Sequence, residues 1–575
     1  MPELSQTPKV TIDGQTLSTA LEDELIEVVV DLHLSLPDAF TLRFSDHGLD
    51  VADKLNAKIG SVVVIKAGAL GDRPSAVLTM GEVTGFDASL DVDGRHFIVR
   101  GYDKSHRLQA GRKTTSFDDI TDSALVQRMA SAAGLTVGVI DSTTVTHKHV
   151  VQVNTSDWDF IRARAREIGY EAGMAEGKFY FRKPPTAVGR KPEIEFGQDL
   201  VEFRPRVSAA QQIKDVEVTS WDDQKKEAVT AKKSTNGGFV SLASSALAPK
   251  KMASQLGDAK EESTHRVLRS TPEAEGAASS LADEIASSHA EAEGVAIGDP
   301  LLKAGSVVKI KGVGSSFNGE WRLTRAEHRF SNGGYLTRFE VAGRQDRSLL
   351  GLASGAVAET PLVAGGTPIY GATVGVVSDS NDPLKQGRVK VQLPWLAADY
   401  ATSWARVCYP GAGPERGFFN VPNVGDEVLV MFEHGDPRQP YIVGSLYNGK
   451  DKVPNDAVLD SGDGSVVKRT WVNTKKHSIT LNDKAGEEGI TITLNGDSHF
   501  FALKKDDDVV QVHSNGKTVV IGKKGIEITS DSGDVTIKGV NVKIEASAGL
   551  ELKGATGKFD GGGSTEIKGG TIKLN

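Results

Sequence analysis

Alternating hydrophobic and polar positions in the first part of the chain predict β-strands. A period of two residues places one face of a strand in a core and the other in solvent. The alternation continues on both sides of Pro37-Asp38 and therefore predicts a long, half-buried β-hairpin. Further strand candidates at 62–65, 77–83 and 97–99 extend it to a β-barrel or sandwich. The apolar positions of the hairpin are Ile26, Val28, Val30, Leu32, Leu34, Leu36, Phe40, Leu42 and Phe44.

Helical spacing replaces this alternation in two places. The first predicted helix is capped at Thr121/Asp122 and ends at Gly134, and the second is capped by Ser156 and ends at Gly169. Both therefore have the start and stop residues expected of short globular helices. The face of the second helix that we expect to be buried contains Trp158, Ile161, Ala165 and Ile168.

The composition changes at residues 228–294, which are rich in Ala, Ser, Lys, Glu and Gly and poor in large apolar residues. This composition predicts a linker-like insertion. Within it, Thr271-Pro272-Glu273 has the order N-cap, first-turn proline and acidic residue, which predicts a helix through about Ala290. Hydrophobic strand candidates return from 307 to 341, and small residues at 351–366 mark a domain boundary.

Residues 371–449 predict a separate, smaller β domain. Strand candidates lie at 374–377, 389–393, 404–408, 427–432 and 441–446. Five short strands in about 80 residues are typical of an OB-fold barrel.

The residues after Pro454 predict a third architecture. They include no proline, which would remove a donor from a β-ladder. Apolar pairs recur about every eight residues between turn residues, and strands this short cannot bury a core by themselves. The repeat therefore predicts a C3 homotrimer with a needle-shaped C-terminus. The pairs are Ile526/Ile528, Val535/Ile537, Val542/Ile544 and Leu550/Leu552.

Composition and charge limit the function classes that are open to this chain. Its 575 residues imply several domains, and its net charge of −9 argues against a nucleic-acid-binding or membrane-binding surface over the whole protein. Its single cysteine, Cys408, excludes intrachain disulfides and multi-cysteine metal sites. The N-terminus lacks the pattern of a signal peptide, and no apolar run is long enough to span a membrane, so we expect cytoplasmic assembly.

A series of motifs in residues 387–444 resembles one family. The motifs are Gly387-Arg388-Val389-Lys390-Val391, Trp395, Trp404-Ala405-Arg406-Val407, Val424-Gly425-Asp426-Glu427-Val428-Leu429-Val430 and Gly435-Asp436-Pro437. They resemble the OB domain of contractile-tail spike proteins, the VgrG proteins of type VI secretion and their counterparts in phages, tailocins and extracellular contractile injection systems. Upstream, Ser156-Asp157-Trp158-Asp159-Phe160 and Phe317-Asn318-Gly319 resemble the hub of the same family.

The resemblance implies a mainly β chain in three parts. These are a hub of tandem β-barrels with a few helices at 1–365, which includes a flexible insertion at about 228–294, an OB-fold barrel at 366–450, and an intertwined trimeric β-helix needle at 451–575. Such a hub adapts a hexameric tail tube to a threefold needle that pierces a target envelope. The implied partners are two further copies of the chain, the inner tail tube protein, baseplate proteins, a PAAR-like tip protein and effectors. The target membrane is contacted when the machine fires.

The resemblance also implies a place for the tip protein. The chain ends in a β pattern without a fused effector domain, so the blunt end of the needle, and with it the binding site for the PAAR-like tip protein, is expected at Ile572, Lys573, Leu574 and Asn575. Delivered effectors are then expected to be carried by partners. No cofactor is implied.

Motifs for catalysis are missing from the sequence, and we expect no enzyme. H-E-x-x-H, G-x-S-x-G and P-loop strings do not occur, and residues 450–465 are too short for the lysozyme domain of some phage spikes. Cys408 is interpreted as structural, inside a barrel strand. The last histidine, His513, lies far from the C-terminus, which argues against a needle tip closed by its own metal ion.

Four further residue groups have both a structural and a functional interpretation. His147 and His149 fit a surface strand better than a metal site, and Arg162, Arg164 and Arg166 fit a solvated helix surface better than an anion site. A solvated turn is preferred to a cation site for Asp506-Asp507-Asp508. For one group of aromatic residues in the predicted barrel, a place in the core or in an interface is preferred to stacking on nucleic-acid bases. This group comprises Trp395, Tyr400, Trp404, Phe418 and Phe419.

Two rival function classes remain open from the sequence. The first is a trimeric, tailspike-like enzyme that cleaves polysaccharides, which would need paired carboxylates in a groove. The second is an OB-fold protein that binds nucleic acid, which would show salt-dependent binding to single strands.

Overall fold

The structure is a computed structural model that describes residues 7–69, 75–92, 94–185, 191–257, 259–264, 266–331, 334–344, 368–454, 459–460, 462–494, 498–505 and 509–574. The chain divides into two compact units, Met1–Leu446 and Tyr447–Asn575. The predicted boundary at 365/366 and the small residues at 351–366 lie outside the described residues.

Short helices and many strands make up the described part of the first unit. The helices are α1 (Thr19–Glu24), α2 (Val51–Leu55), α3 (Asp122–Ala132), α4 (Asp157–Glu167), α5 (Pro249–Leu256) and α6 (Thr271–Ser287), with 3-10 turns at Lys104–Gln109, Ser245–Leu247 and Glu433–Gly435. The first strands are β1 (Lys9–Ile12), β2 (Gln15–Thr16), β3 (Leu25–His33), β4 (Ala39–Ser45), β5 (Val62–Ala67), β6 (Ala76–Asp91), β7 (Gly94–Asp103), β8 (Lys113–Thr121), β9 (Val137–Ile140), β10 (Thr146–Thr155), β11 (Glu171–Ala175) and β12 (Lys178–Arg182). They are followed by β13 (Glu193–Glu195), β14 (Leu200–Val207), β15 (Asp215–Asp222), β16 (Glu227–Ser234), β17 (Val240–Leu242), β18 (Lys260–Ser263), β19 (Ala290–Ile297), β20 (Val307–Lys311), β21 (Gly319–Arg322), β22 (Arg325–Ser331) and β23 (Gly334–Val341).

One long sheet joins the N-terminal strands to strands far along the chain. As far as the structure describes the chain, its order is β14-β19-β23-β22-β3-β4-β7-β6-β5-β1-β2. The predicted hairpin is confirmed, because β3 and β4 pair with Val28 opposite Leu42. Two hydrophobic cores lie along the sheet, one containing Val30 and Leu42 and the other containing Trp321 and Phe339. The predicted mainly β fold is confirmed.

The two predicted helices are confirmed as α3 and α4. The Thr121 hydroxyl accepts a hydrogen bond from Ala124 N, and the Ser156 hydroxyl accepts one from Asp159 N, as N-caps do. Trp158 and Ile161 of α4 are buried in a third core beneath β11 and β12. The spacing of apolar residues was therefore sufficient to predict these helices and the buried face of α4.

Residues 228–294 differ from the predicted linker. Strand β16 pairs with β15, β19 lies inside the long sheet between β14 and β23, and α6 packs its alanines on β15 and β16. Ala274, Ala277 and Ala278 are completely buried. Small residues form this core because they allow a helix to approach a sheet closely, so the low content of large apolar residues did not mean disorder. Helix α6 is capped by Ser270 together with Glu273, one residue before the predicted cap.

The predicted five-stranded barrel is confirmed between 372 and 445. Its described strands are β24 (Ala372–Asp379), β25 (Lys390–Gln392), β26 (Arg406–Val407), β27 (Ala412–Gly413), β28 (Arg416–Gly417), β29 (Glu427–Phe432) and β30 (Pro440–Ser445), and the main sheet has the order β25-β24-β29-β30-β26. Val151 and Val153 of the earlier strand β10 are part of the same core as Val391 and Ile442. The barrel is therefore packed against the strands that precede it in the chain.

The second unit has a meander of antiparallel strands. They are β31 (Lys468–Val472), β32 (Ser478–Asn482), β33 (Gly489–Leu494), β34 (His499–Lys504), β35 (Val509–Ser514), β36 (Lys517–Gly522) and β37 (Gly525–Ser530), each paired with the next. Residues 531–574, called the tail here, contain no strand or helix in this single chain. The predicted pair Ile526/Ile528 lies in β37, whereas the pairs from Val535 to Leu552 lie in the tail.

Candidate assembly and tip surfaces

The sheet of the second unit has one apolar face. Because directly paired residues of antiparallel strands point to the same side of a sheet, the register defines continuous rows of side chains. Two neighbouring rows on one side are almost entirely apolar. The first is Trp471, Ile479, Ile492, Phe501, Val512, Val519 and Ile528, and the second, which begins at the charged Arg469, is Arg469, Leu481, Ile490, Leu503, Val510, Ile521 and Ile526. We call these two rows the apolar face.

The apolar face is open to solvent in the single chain. Trp471 is 50% exposed, Ile492 45% and Ile528 59%. An open pocket of about 460 Å³ lies beside Trp471, Ile492 and Phe501. A monomeric soluble protein rarely exposes a contiguous apolar patch of this extent, so the face requires a covering surface.

The opposite side of the same sheet is richer in hydroxyl groups. Thr470 and Thr480 share a hydrogen bond of 2.8 Å between their Oγ1 atoms, and Ser478 Oγ lies 2.7 Å from Thr493 Oγ1. A sheet with one apolar and one polar side has a defined inner and outer surface. The alternation of apolar and polar residues in 468–530 carries this information in the sequence.

The tail continues the alternation without any partner strand. Ile537 is 67% exposed, Leu552 is 72% exposed and Ile567 is 66% exposed. Backbone groups of an isolated extended segment also lack ladder partners, which is why the single chain shows no strand there.

The predicted tip residues lie at the end of this exposed segment. Ile572 is 52% exposed and Leu574 is 90% exposed, while Asn575 lies outside the described residues. Asp506-Asp507-Asp508 also lies outside them. In the part of the chain that the structure describes, no group of three or more His, Cys, Asp or Glu is placed to hold a metal ion.

The interpretation of Arg164 as solvated helix surface is wrong. Its side chain is completely buried, and its Nε donates to Asp122 Oδ1 over 2.6 Å while its Nη2 lies 2.8 Å from His147 Nε2. Glu167 pairs with the same guanidinium. No sequence signal indicated this cluster, because Asp122 lies on α3, 42 residues before Arg164 on α4. Arg166, in contrast, is exposed and pairs with Glu284 of α6.

His147 is also buried rather than on a surface strand. Its Nε2 lies 3.0 Å from Asp122 Oδ2, and its Nδ1 lies 3.6 Å from Glu273 Oε1. Burial acts to lower the pKa of His147, but the hydrogen bonds to Asp122 and Glu273 outweigh it and raise the pKa. Although burial alone would raise it, the pKa of Asp122 is held well below its usual range by Arg164 and His147. His149 lies on the same strand, with Nδ1 2.6 Å from Asp118 Oδ1.

A second set of polar contacts joins α6 to the OB barrel. Arg269, just before α6, donates to Glu433 Oε2 over 2.8 Å and to Gln439 Oε1 over 2.6 Å. Arg406 lies 3.7 Å from Asp223 in the β15–β16 turn. These contacts connect the β15–β16 turn and the start of α6 to the barrel, and the contact of Arg269 again contradicts a free linker.

The aromatic residues of the barrel have mixed surroundings. Tyr400 is buried in the core, whereas Trp395, Phe418 and Phe419 are exposed. The Lys390 ammonium lies 5.5 Å from the ring of Trp404. Cys408 follows β26 and is exposed, so it does not fill the barrel core as predicted. Among the described residues, no helix is long and apolar enough to cross a membrane.

Family comparisons match both parts of the first unit. The model of the Alg8 N-terminal domain matches residues 5–332, and the model of the type VI secretion system/phage-baseplate injector OB domain matches residues 373–447. The second match coincides with the five-stranded barrel described above.

Two curated relatives and one solved structure extend these matches. The type VI secretion system spike protein VgrG1b of Pseudomonas aeruginosa is 30% identical over 204 residues, which is 33% of this chain and 28% of that protein. The actin cross-linking toxin VgrG1 of Vibrio cholerae is 28% identical over 195 residues, which is 32% of this chain and 17% of that protein. The alignments therefore span less than a third of each relative. A chain of the half-lidded Francisella PdpA-VgrG complex is similar in fold, with a TM-score of 0.50 and 7% identity over 91% of this chain and 88% of that chain.

Proposed function

The chain belongs to the Alg8 N-terminal domain family, and from this premise we propose that it is the central spike of a contractile injection system. The OB-domain match and the VgrG relatives support this function. The observation that carries the proposal is the apolar face of the β31–β37 sheet, which continues into an exposed, alternating tail. Such a surface has no use in a monomer, but it is suited to a rigid rod made of several chains.

The assembly that fits this surface is a homotrimer. Each copy contributes one sheet with a single apolar side, and three such sheets close into a prism whose interior is apolar and whose exterior carries the hydroxyl-rich side. Closure also leaves no long open sheet edge at which other proteins could add strands. The tail then winds with its two copies into the narrow part of the needle.

The first unit acts as the adaptor in this proposal. Two cores lie along one sheet, and we infer that they mark two β bodies in each copy, so that three copies present six to a hexameric tail tube. The inner tube protein and baseplate proteins are the partners for this end. Assembly takes place in the cytoplasm, and the needle meets a target membrane when the sheath contracts.

The other end binds a PAAR-like tip protein through Ile572, Lys573, Leu574 and Asn575. The exposure of Ile572 and Leu574 supports this site, because three copies of each form a small apolar platform at the blunt end. A chain that ends before Ile567 is expected to form the trimer and to lose the tip protein in a pull-down. Retention of the tip protein by this shortened trimer would contradict the site.

The role is mechanical rather than catalytic, and effectors are carried by partners. The spike requires stiffness, which interchain ladders and a closed apolar interior supply. Absence of depolymerase activity on a glycan panel, and of salt-dependent binding to single-stranded DNA, separates this role from the two rivals.

Light scattering on the purified chain tests the assembly. The expected mass is three times the 61.1 kDa of one chain. A stable monomer would overturn the proposal, because the apolar face would then be uncovered in solution.

A further inference from the structure

The tail carries a regular pattern of charge. Four triplets place a charged residue on each side of an apolar one, and the order of the two signs inverts from each triplet to the next. Successive triplets are offset by 8, 7 and 8 residues. The triplets are Lys543-Ile544-Glu545, Glu551-Leu552-Lys553, Lys558-Phe559-Asp560 and Glu566-Ile567-Lys568.

The structure places the two charges of each triplet on the same side of the backbone. Glu551 and Lys553 form an ion pair of 2.7 Å, and Lys558 and Asp560 lie 3.6 Å apart. Lys543 pairs with Glu545 and Glu566 pairs with Lys568 in the same way. Residues two apart share a side in an extended chain, so the apolar residue between them faces the other way. Each triplet therefore has an apolar side and a charged side.

Stacked in order, the triplets produce two columns of charge. The first column is Lys538, Glu545, Lys553, Asp560 and Lys568, and the second column is Lys543, Glu551, Lys558, Glu566 and Lys573. In both columns every residue is opposite in sign to the one before it. Each column contains three lysines and two acidic residues, so its net charge is only +1 although the sign alternates at every step.

The alternation is favourable in one strand direction and unfavourable in the other. If neighbouring strands are parallel, Lys543 lies beside Glu551 and Glu545 lies beside Lys553, so both pairs are opposite in sign. If they are antiparallel, as in β31–β37, Lys543 lies beside Lys553 and Glu545 beside Glu551. Like charges directly opposite each other destabilise a sheet, whereas opposite charges stabilise it.

Threefold symmetry decides which chain supplies the neighbouring strand. A chain that winds around the threefold axis passes to the next face of the prism with each repeat. The threefold rotation then places the second repeat of another copy on the face that holds the first repeat of this copy, so the two repeats are neighbours. Each step in a column is therefore a contact between two copies.

We propose that the two charge columns set a parallel, interchain register in the tail, in which Lys543 of one copy lies beside Glu551 of a neighbouring copy. This proposal rests on the homotrimer of the proposed function. The partner surface is a second copy of this chain, and its chemistry is the complementary column. The columns also select against a continuation of the antiparallel meander beyond β37.

Disulfide trapping tests the register. In a Cys408→Ser background, which removes the natural thiol, Lys543→Cys is combined with Glu551→Cys in one variant and with Lys553→Cys in another. Parallel neighbours place 543 and 551 about 4.8 Å apart and 543 and 553 about 8 Å apart. A disulfide needs Cα atoms within about 7 Å, so the first variant is expected to form covalent trimers on non-reducing gels and the second is not. Each single-cysteine variant is the control.

The outcomes separate the register from the trimer. Light scattering on the reduced samples reports the assembly, and the gel reports the register. Three outcomes overturn the register and leave the trimer standing. They are a trimer with a disulfide between 543 and 553, a trimer with neither disulfide, and a trimer whose disulfide joins 543 and 551 of the same chain. A monomer overturns the trimer itself.

A charge exchange gives an independent test. The variant Glu551→Lys/Lys553→Glu keeps the composition but places like charges beside both neighbouring repeats. We expect a lower melting temperature for its trimer. A second variant, in which all ten charges of the two columns are inverted relative to the natural chain, again has opposite charges side by side. Its trimer is expected to recover the melting temperature of the natural chain. An unchanged melting temperature at low salt for the two-residue exchange would contradict the proposal. The difference is expected to shrink in about 1 M NaCl, because the columns are exposed and screened.

Discussion

Val30 and Leu42 of the first unit are completely buried, whereas Ile537 and Leu552 of the tail are 67% and 72% exposed, although both pairs belong to the same alternating pattern. The first pair lies in a sheet whose other strands come from the same chain. The second pair lies in a segment that forms no strand in the single chain, and its short repeats cannot bury a core by themselves. The same kind of alternation is therefore buried by its own chain in the first unit and left exposed in the tail, where the proposed homotrimer would cover it.

The two parts also use charge differently. Arg164 lies inside the first unit, where it forms ion pairs with Asp122 and Glu167. The tail keeps its charges on the surface, in ion pairs such as Glu551–Lys553. Buried charges hold elements of one chain together, and we expect the surface columns to define how different chains meet.

The largest expected effect breaks the assembly and leaves the first unit folded. Ile492→Asp places a charge in the middle of the apolar face, where closure of the trimer would bury it without a partner. The expected result is loss of the trimer, seen as a mass near 61.1 kDa by light scattering. Thr491→Asp, on the other side of the same strand, is the matched control and should remain trimeric. A trimeric Ile492→Asp variant would show that this face is not the interface.

The second-largest expected effect is a loss of stability in the first unit that does not extend to the second unit. Trp321→Ala removes a completely buried side chain from the core near Phe339. A loss of about 4 kcal/mol in the free energy of unfolding of the first unit is expected, by denaturant titration. Trp471→Ala, at a half-exposed tryptophan of the apolar face, should leave that transition unchanged. Equal losses from both variants would remove the distinction between the two regions.

The third-largest expected effect comes from removal of the buried Arg164 side chain. Arg164→Ala leaves Asp122 buried without its guanidinium partner, and a loss of about 3 kcal/mol is expected for the same transition. Arg166→Ala, on the same helix, removes an exposed ion pair with Glu284 and should cost less than about 1 kcal/mol. A loss for Arg166→Ala as large as that for Arg164→Ala would contradict the special role of the buried site.

The smallest effect is a dependence on pH. Because Asp122 and Glu273 raise the pKa of His147, protonation stabilises the folded first unit. This contribution is complete below about pH 6.5, the value for an unfolded histidine, and is lost as the pH rises through the higher folded value. His147→Gln should therefore flatten the fall in melting temperature between pH 6 and 8.5, whereas replacing the exposed His47 should not. An unaltered pH profile in His147→Gln would contradict this sign.

The sequence by itself determined the elements with a clear period. The hairpin around Pro37-Asp38, the capped helices α3 and α4 and the five-stranded barrel follow from local spacing, because a period of two or of 3.6 residues fixes which side of an element is apolar. The alternating charges of the tail are also fully present in the sequence.

The tertiary structure decided what is close in space. It placed Arg164 against Asp122, brought β19 into the long sheet and buried the alanines of α6, where composition had indicated a linker. It also showed that 468–530 forms an antiparallel sheet with one exposed apolar side. Local periodicity carries no information on which distant segment covers a given face, because burial depends on contacts between residues far apart in the chain. Those contacts exist once the chain has folded and, for the tail, we expect them from further copies of the chain.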